Sequence, residues 1–290
     1  MPFKGNYYLL QHSQRNVREG VSDCGHGGPS GDAWPLGTLT ETTMTLENQT
    51  CVVTGASRGI GRGIARELGR QGANVVVNYR SSEAEAYDVV DEIADDGGEA
   101  VAVQADVAEM DQIQAMQERV TDMFGPADVL VNNAGITVDK KFDNMTREDW
   151  ERVMQVNLGG VFNCTNAFFE DIKAAEEGRL INISSVVGQQ GNYGQANYAT
   201  TKSGLFGFTR TLALELAASG STANCVAPGF VETDMLETVP ERVQEKILRR
   251  IPLDRFATVD DVAGLVRFLA GEDSGYMTGQ ILAVNGGMEW

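Results

Sequence analysis

Apolar residues in this chain follow two alternating patterns. Short apolar runs at residues 50–54, 75–77, 100–103, 128–131, 180–183, 223–226 and 280–284 predict seven strands. Between them apolar side chains recur at helical spacing, as Ile60, Ile64 and Leu68 do at intervals of four. Val75-Val76-Val77 is apolar on both faces, which fits a parallel sheet covered by helices on both sides. Strict alternation of strand and helix predicts an α/β fold with a doubly wound, seven-stranded parallel sheet, in one domain over residues 44–290. Two segments break the pattern. Residues 1–43, with Gly25-His26-Gly27-Gly28-Pro29-Ser30-Gly31 and no sustained periodicity, predict a disordered N-terminal extension. They lack the apolar core and cleavage site of a signal peptide, and Met44 opens a segment that reads as an alternative start. Residues 232–255 interrupt the alternation and predict a mobile lid over substrate.

Composition narrows the chemistry. The sequence has no run of eighteen apolar residues, so no membrane span is predicted. Cys24, Cys51, Cys164 and Cys225 form no Cys-x-x-Cys pair, and the last three lie in apolar patterns, which fits reduced thiols in a cytoplasmic protein. His12 and His26 are the only histidines. Residues 44–290 therefore hold no Ser-His-Asp triad and no histidine-ligated metal, and no metal site is predicted. The formal net charge is −18; residues 1–43 hold three basic and four acidic side chains, which leaves −17 on the domain. Such a field repels nucleic acid and argues against it as a partner. The acidity resembles that of proteins from salt-loving organisms; an ordinary acidic cytoplasmic protein is the alternative.

Two local motifs carry candidate chemistry. The first strand runs into Gly55-Ala56-Ser57-Arg58-Gly59-Ile60-Gly61 and then a helix. Strand, glycine turn and helix start let backbone approach a pyrophosphate, whose charge the helix N-terminus attracts. A structural turn that binds nothing is the alternative. The second motif is Tyr198-Ala199-Thr200-Thr201-Lys202, with Ser185 thirteen residues before the tyrosine. Tyr198 and Lys202 are one helical turn apart and share a face. A phenol titrates near about 10. The neighbouring ammonium is expected to lower that value and make Tyr198 a proton donor near neutrality, with Ser185 holding a substrate oxygen. An ordinary amphipathic helix surface is the alternative for such a pair. The second strand ends in Asn78-Tyr79-Arg80-Ser81, with no acid from Leu68 to Ser82. A site selective for NAD places an acid there for the ribose 2′-hydroxyl. Arg80 and Arg58 instead suit a 2′-phosphate, and hence NADPH, unless both are solvated surface charges.

Together these motifs resemble the short-chain dehydrogenase/reductase family. The carriers of the resemblance are Gly55-x-x-x-Gly59-x-Gly61, Asn132-Asn133-Ala134-Gly135, Asn157 in Val156-Asn157-Leu158-Gly159, Ser185, Tyr198 with Lys202, and Pro228-Gly229. They stand in the family's order from about residue 45 to residue 290. The resemblance implies a Rossmann-like sheet and the catalytic residues Asn157, Ser185, Tyr198 and Lys202. It implies a cofactor site of Gly55, Ser57, Arg58, Gly59, Ile60, Gly61, Tyr79, Arg80, Asp106, Val107, Asn133, Ala134, Gly135, Tyr198, Lys202, Pro228, Gly229, Val231 and Thr233. It gives Asn157 the anchoring of a water that relays protons through Lys202; a buried helix-kink residue is the alternative. Asp106 either meets the adenine or caps the next helix. Tyr193 and Gln195 either hold the acyl group or serve the loop alone.

The stretch Gly191-Asn192-Tyr193-Gly194-Gln195-Ala196-Asn197-Tyr198 and the ending Val284-Asn285-Gly286-Gly287-Met288 are most similar to family members that reduce 3-oxoacyl thioesters, on CoA or on acyl carrier protein. The expected reaction is NADPH-dependent reduction of such a ketone by Tyr198 and its neighbours. Acetoacetyl-CoA, giving (R)-3-hydroxybutyryl-CoA for polyhydroxyalkanoate, is the expected substrate, because an acidic domain repels an acidic carrier protein; reduction on acyl carrier protein in fatty-acid synthesis is the alternative. Lys140, Lys141, Arg249, Arg250 and Arg255, expected near the mouth, suit the phosphates of CoA. An NADPH-binding sensor without turnover is the alternative from another class. A cytoplasmic homotetramer is the expected assembly.

Overall fold

The computed structural model describes residues 46–233, 236 and 239–288. The predicted extension over residues 1–43 lies outside them. Each apolar run named above becomes a strand: β1 Thr50–Val53, β2 Asn74–Tyr79, β3 Glu99–Gln104, β4 Val129–Asn132, β5 Arg179–Ile183, β6 Thr222–Pro228 and β7 Ile281–Val284. They form one sheet in the order β3-β2-β1-β4-β5-β6-β7, with every pairing parallel. The helices are α1 Gly59–Arg70, α2 Glu83–Asp95, α3 Met110–Phe124, α4 Arg147–Met154, α5 Gly160–Ala174, α6 Val186–Gln190, α7 Ala196–Leu216, α8 Glu241–Leu248 and α9 Val259–Ala270. Among the described residues no helix is long and apolar enough to cross a membrane.

Successive strand residues point to opposite faces, so each central strand feeds two cores. Cys51 and Val53 of β1 pack with Ile64 and Leu68 of α1 and Val262 and Val266 of α9. Val52, between them, packs on the other face with Ile113 of α3, Phe168 of α5 and Leu216 of α7. This two-sided burial is why the strands read as unbroken apolar runs. The helix starts follow their capping residues. Thr146 before α4 and Thr258 before α9 each form a capping box, with Asp149 and Asp261.

Strand order reverses between β1 and β4. Their following loops part there and open a crevice at the carboxyl ends of the strands, where ligands bind in open α/β sheets. The glycine loop follows β1, Asn133-Ala134-Gly135 follows β4, Ser185 follows β5 and Gly229 follows β6. The segment predicted as a lid, residues 232–255, contains α8. Its base is tied by a parallel bridge between Val231 and Ala257 and by Ile251, which packs with Val186, Val187 and Met288.

Candidate active site

The loop after β1 is a cradle that side chains would fill. Gly55 takes φ +61°, a left-handed conformation open to glycine, with its Cα face against Ala134. A Cβ on Gly61 would collide with the Gly55 carbonyl and the Asn133 amide. Two buried or half-buried asparagines hold the loop in this form. Asn133 donates from Nδ2 to the carbonyls of Thr54 (2.8 Å) and Gly55 (3.1 Å). Asn78 accepts from the Gly55 N–H at 3.2 Å and donates to the carbonyls of Val103 and Ala105. The Thr54 hydroxyl accepts from the N–H groups of Asn133 (2.9 Å) and Ala134 (3.0 Å), which locks the β1 and β4 loops together. The first turn of α1 carries no acidic side chain, so its N–H groups meet no competing anion.

These residues fit the diphosphate of a dinucleotide, and the ribose end fits as well. Arg58 stands at the N-cap of α1 and Arg80 just past β2. Both are exposed, and neither side chain has an ion pair or hydrogen bond among the described residues. Thr233 lies 3.6 Å from where a Gly59 Cβ would stand, so the root of the predicted lid borders the cradle. Other predicted cofactor residues shape the site from behind. Tyr79 is 5% exposed and donates its hydroxyl to Glu83 at 3.4 Å. Ser57, Val107 and Val231 are buried. Asp106 accepts from the Ala108 N–H at 3.0 Å, an Asx turn ahead of α3, which begins after Glu109. Pro228 ends β6, and Gly229 packs so closely on Asn285 that a Cβ would stand 2.9 Å from its Cα.

Beside this cradle the predicted catalytic residues converge. Ser185 caps α6, its Oγ accepting from the Val187 N–H at 3.1 Å. Tyr198 and Lys202 share a face of α7, with the lysine Nζ 5.6 Å from the phenol ring centroid. Lys202 is buried and donates to the Ile183 carbonyl at 2.8 Å. Asn157 sits in a π-helical turn, Gln155–Gly159, between α4 and α5. Its Oδ1 accepts from the Ile136 N–H (2.8 Å), and its Nδ2 donates to the Ile136 carbonyl (3.0 Å) and the Thr201 hydroxyl (3.2 Å). A Cβ on Gly135 would stand 3.3 Å from Asn157 Oδ1 and 3.6 Å from Lys202 Nζ, so the β4 loop carries its glycine where these two meet.

Electrostatics here differ from the sequence expectation. The Tyr198 phenol is pushed up to about 12, first by burial; the Ser185 hydroxyl beside it pulls the value down, and Asp139 pushes it up. Lys202 is drawn down to about 8 by burial. Loss of water disfavours the charged form of both groups, phenolate and ammonium alike. Tyr198 therefore keeps its proton at neutral pH, and of this pair Lys202 is the one that titrates closer to neutrality. The three described cysteines are free and buried, and burial raises the Cys225 thiol to about 11.

A family model described as Enoyl-(Acyl carrier protein) reductase matches residues 55–289. A 3-oxoacyl-[acyl-carrier-protein] reductase of Synechocystis is 50% identical over 244 residues, covering 84% of this chain and 98% of that protein. The 3-oxoacyl-[acyl-carrier-protein] reductase FabG of Staphylococcus epidermidis is 47% identical over 241 residues, 83% of this chain and 99% of that protein. Its Staphylococcus aureus counterpart is 48% identical over 240 residues, with 83% and 98% covered. The chain belongs to the short-chain dehydrogenase/reductase family. It is an oxidoreductase with the Rossmann-like sheet of that family.

In this short-chain dehydrogenase/reductase the predicted mouth residues sort into two groups. Lys140 pairs with Asp149 at 2.7 Å and holds that carboxyl down to about 2. Arg249 pairs with Glu245 at 3.4 Å, and Arg255 reaches both oxygens of Asp261. These three pair with carboxylates at the surface. Lys141 and Arg250 have no carboxylate within ion-pair distance among the described residues. Gln195 bridges two loops, donating to Asp139 at 3.0 Å and accepting from Asn192 at 2.9 Å. Tyr193 is 77% exposed on the same loop. The sequence analysis missed Thr54, Asn78 as a loop clamp, and Thr201. A signal was present for Thr54 and Asn78, polar residues at the ends of apolar runs, but not for Thr201, which stands between Thr200 and Lys202.

Proposed function

We propose that this chain reduces 3-oxoacyl thioesters with NADPH, taking acetoacetyl-CoA to (R)-3-hydroxybutyryl-CoA for polyhydroxyalkanoate synthesis. The observation that carries the reading is the convergence of Tyr198, Ser185 and Lys202 beside a glycine cradle. NADPH, when bound, supplies the hydride. Arg58 and Arg80 hold its 2′-phosphate, and the Gly55–Gly61 loop with the start of α1 holds its diphosphate. Tyr198 gives its proton to the keto oxygen as charge develops there; an alkoxide is a far stronger base than a phenolate, so a phenol at about 12 still transfers downhill. Ser185 hydrogen-bonds the same oxygen. Lys202 stabilises the phenolate left behind, and Asn157, one turn of packing away through Thr201, fixes the helix face that carries both.

The choice of CoA rests on the domain's charge of −17, which repels an acidic carrier protein. A second reading, reduction on acyl carrier protein, is favoured by the names of the relatives. We infer a homotetramer in the cytoplasm; Phe162 on α5 and Leu214 on α7, 53% and 81% exposed, are large apolar side chains suited to burial against another subunit. The test is kcat/KM for matched acetoacetyl thioesters of CoA and of carrier protein, in low and high salt. A CoA preference that narrows as salt screens the field is expected. A preference for the carrier protein at both salts would overturn the choice of CoA.

A further inference from the structure

We propose that Lys141 and Arg250 grip the phosphate carried on the thioester's pantetheine handle. The inference rests on the thioester reading above and deepens it. Arg250 contacts the end of α6 and Lys141 the following loop, residues 191–195, which leads into α7 and the catalytic Tyr198. Arg250, just past α8, donates from Nη2 to the Gln190 side-chain oxygen at 2.7 Å. Lys141, from the loop after β4, places Nζ 5.7 Å from the centroid of the Tyr193 ring. An amide oxygen and a ring face orient a cation without neutralising it. Each charge therefore remains available on a domain where their sequence neighbours Lys140 and Arg249 are already paired with carboxylates. An anionic phosphodiester would displace such neutral partners, because charge-assisted hydrogen bonds are stronger than neutral ones.

Position fits the same chemistry. A substrate whose keto oxygen lies on Ser185 and Tyr198 must run its handle out past the loop between α6 and α7. Phe142, next to Lys141, and Tyr193 are each 77% exposed and give that handle apolar surface beside the charge. Asp139, two residues before Lys141, accepts from Gln195 at 3.0 Å. The phosphate of the pantetheine arm is common to CoA and to a carrier protein, while CoA adds the phosphates of its nucleotide.

The experiment compares wild type with Lys141→Ala and Arg250→Ala on three acetoacetyl thioesters: CoA, carrier protein, and N-acetylcysteamine, which has no phosphate. The readout is the ratio of kcat/KM for each phosphate-bearing substrate to kcat/KM for the N-acetylcysteamine thioester. Each variant should lower the CoA ratio by about tenfold, the effect of one charge-assisted contact, with a smaller drop at high salt. A matching drop for the carrier protein supports the shared pantetheine phosphate; a drop for CoA alone places the contact on the nucleotide phosphates and overturns the pantetheine assignment. Ratios equal to wild type in both variants overturn the inference and leave the thioester reading standing. Failure of the wild-type enzyme to reduce any of the three thioesters would instead sink the thioester reading itself.

Discussion

Among the described residues, Lys202 has a pKa drawn close to physiological pH. Burial draws its pKa from 10.5 to about 8, so its ammonium is complete only below that value. Tyr198, at about 12, keeps its proton throughout the working range. The free-enzyme profile, kcat/KM for the cofactor, should therefore be flat near neutrality and fall as pH rises through about 8. A profile flat to pH 10 would contradict the assignment of the titrating group to Lys202. The depressed value also has a sign for stability. The folded chain holds this proton less tightly than the unfolded chain, so Lys202 favours the fold above 10.5 and loses that contribution as pH falls through about 8. At the cofactor's far end, Arg80→Ala should weaken NADPH roughly tenfold to a hundredfold while leaving NADH little changed, since a charge-assisted contact is worth about 1.5–3 kcal/mol. Equal loss for both cofactors, measured by fluorescence titration, would remove the 2′-phosphate role. The identities of Tyr198, Lys202 and Ser185 were legible because their spacing is fixed by one helix turn and one strand end. Their pKa values were not, because sequence shows that an ammonium is near but not how much water both groups have lost.

At the scale of elements, α6 sets where Ser185 stands. Its contact with α7 is made at Gly188, where a Cβ would lie 2.8 Å from the Lys202 carbonyl carbon and 3.0 Å from its oxygen. Gly188→Ala must push α6 off α7 and carry the Ser185 hydroxyl away from Tyr198. Overpacking of this kind costs about 1–3 kcal/mol, and kcat should fall tenfold or more with cofactor affinity retained, because a small misplacement at the reacting centre is costly. An unchanged kcat would show that Ser185 is not held through this contact. All seven strands were legible, since two-sided burial makes each an apolar run. The π-helical turn at Gln155–Gly159 was not, because an extra residue in a helix leaves the apolar period nearly intact. The asparagine clamps of the glycine loop were hidden for a related reason: Asn78 and Asn133 meet Gly55 across 23 and 78 residues of sequence, and no local pattern reports such a pairing.

On the scale of the whole molecule, sheet order and charge divide the labour. The reversal between β1 and β4 brings the glycine loop, the β4 loop, Ser185 and Gly229 together at the carboxyl ends of the strands. The domain charge of −17 acts at longer range, on which carrier approaches that edge. The topology was readable from strand–helix alternation, and the charge from composition; which cations stay free at the mouth required the ion pairs to be seen. The account stands on Tyr198 as the proton donor in ketone reduction. The most direct measurement is turnover of NADPH with acetoacetyl-CoA by wild type and Tyr198→Phe, alongside cofactor affinity for each. Removing a general acid costs roughly 10²–10⁴-fold, so the variant should lose at least a hundredfold in kcat while binding NADPH as wild type does. Turnover within tenfold of wild type would contradict the account.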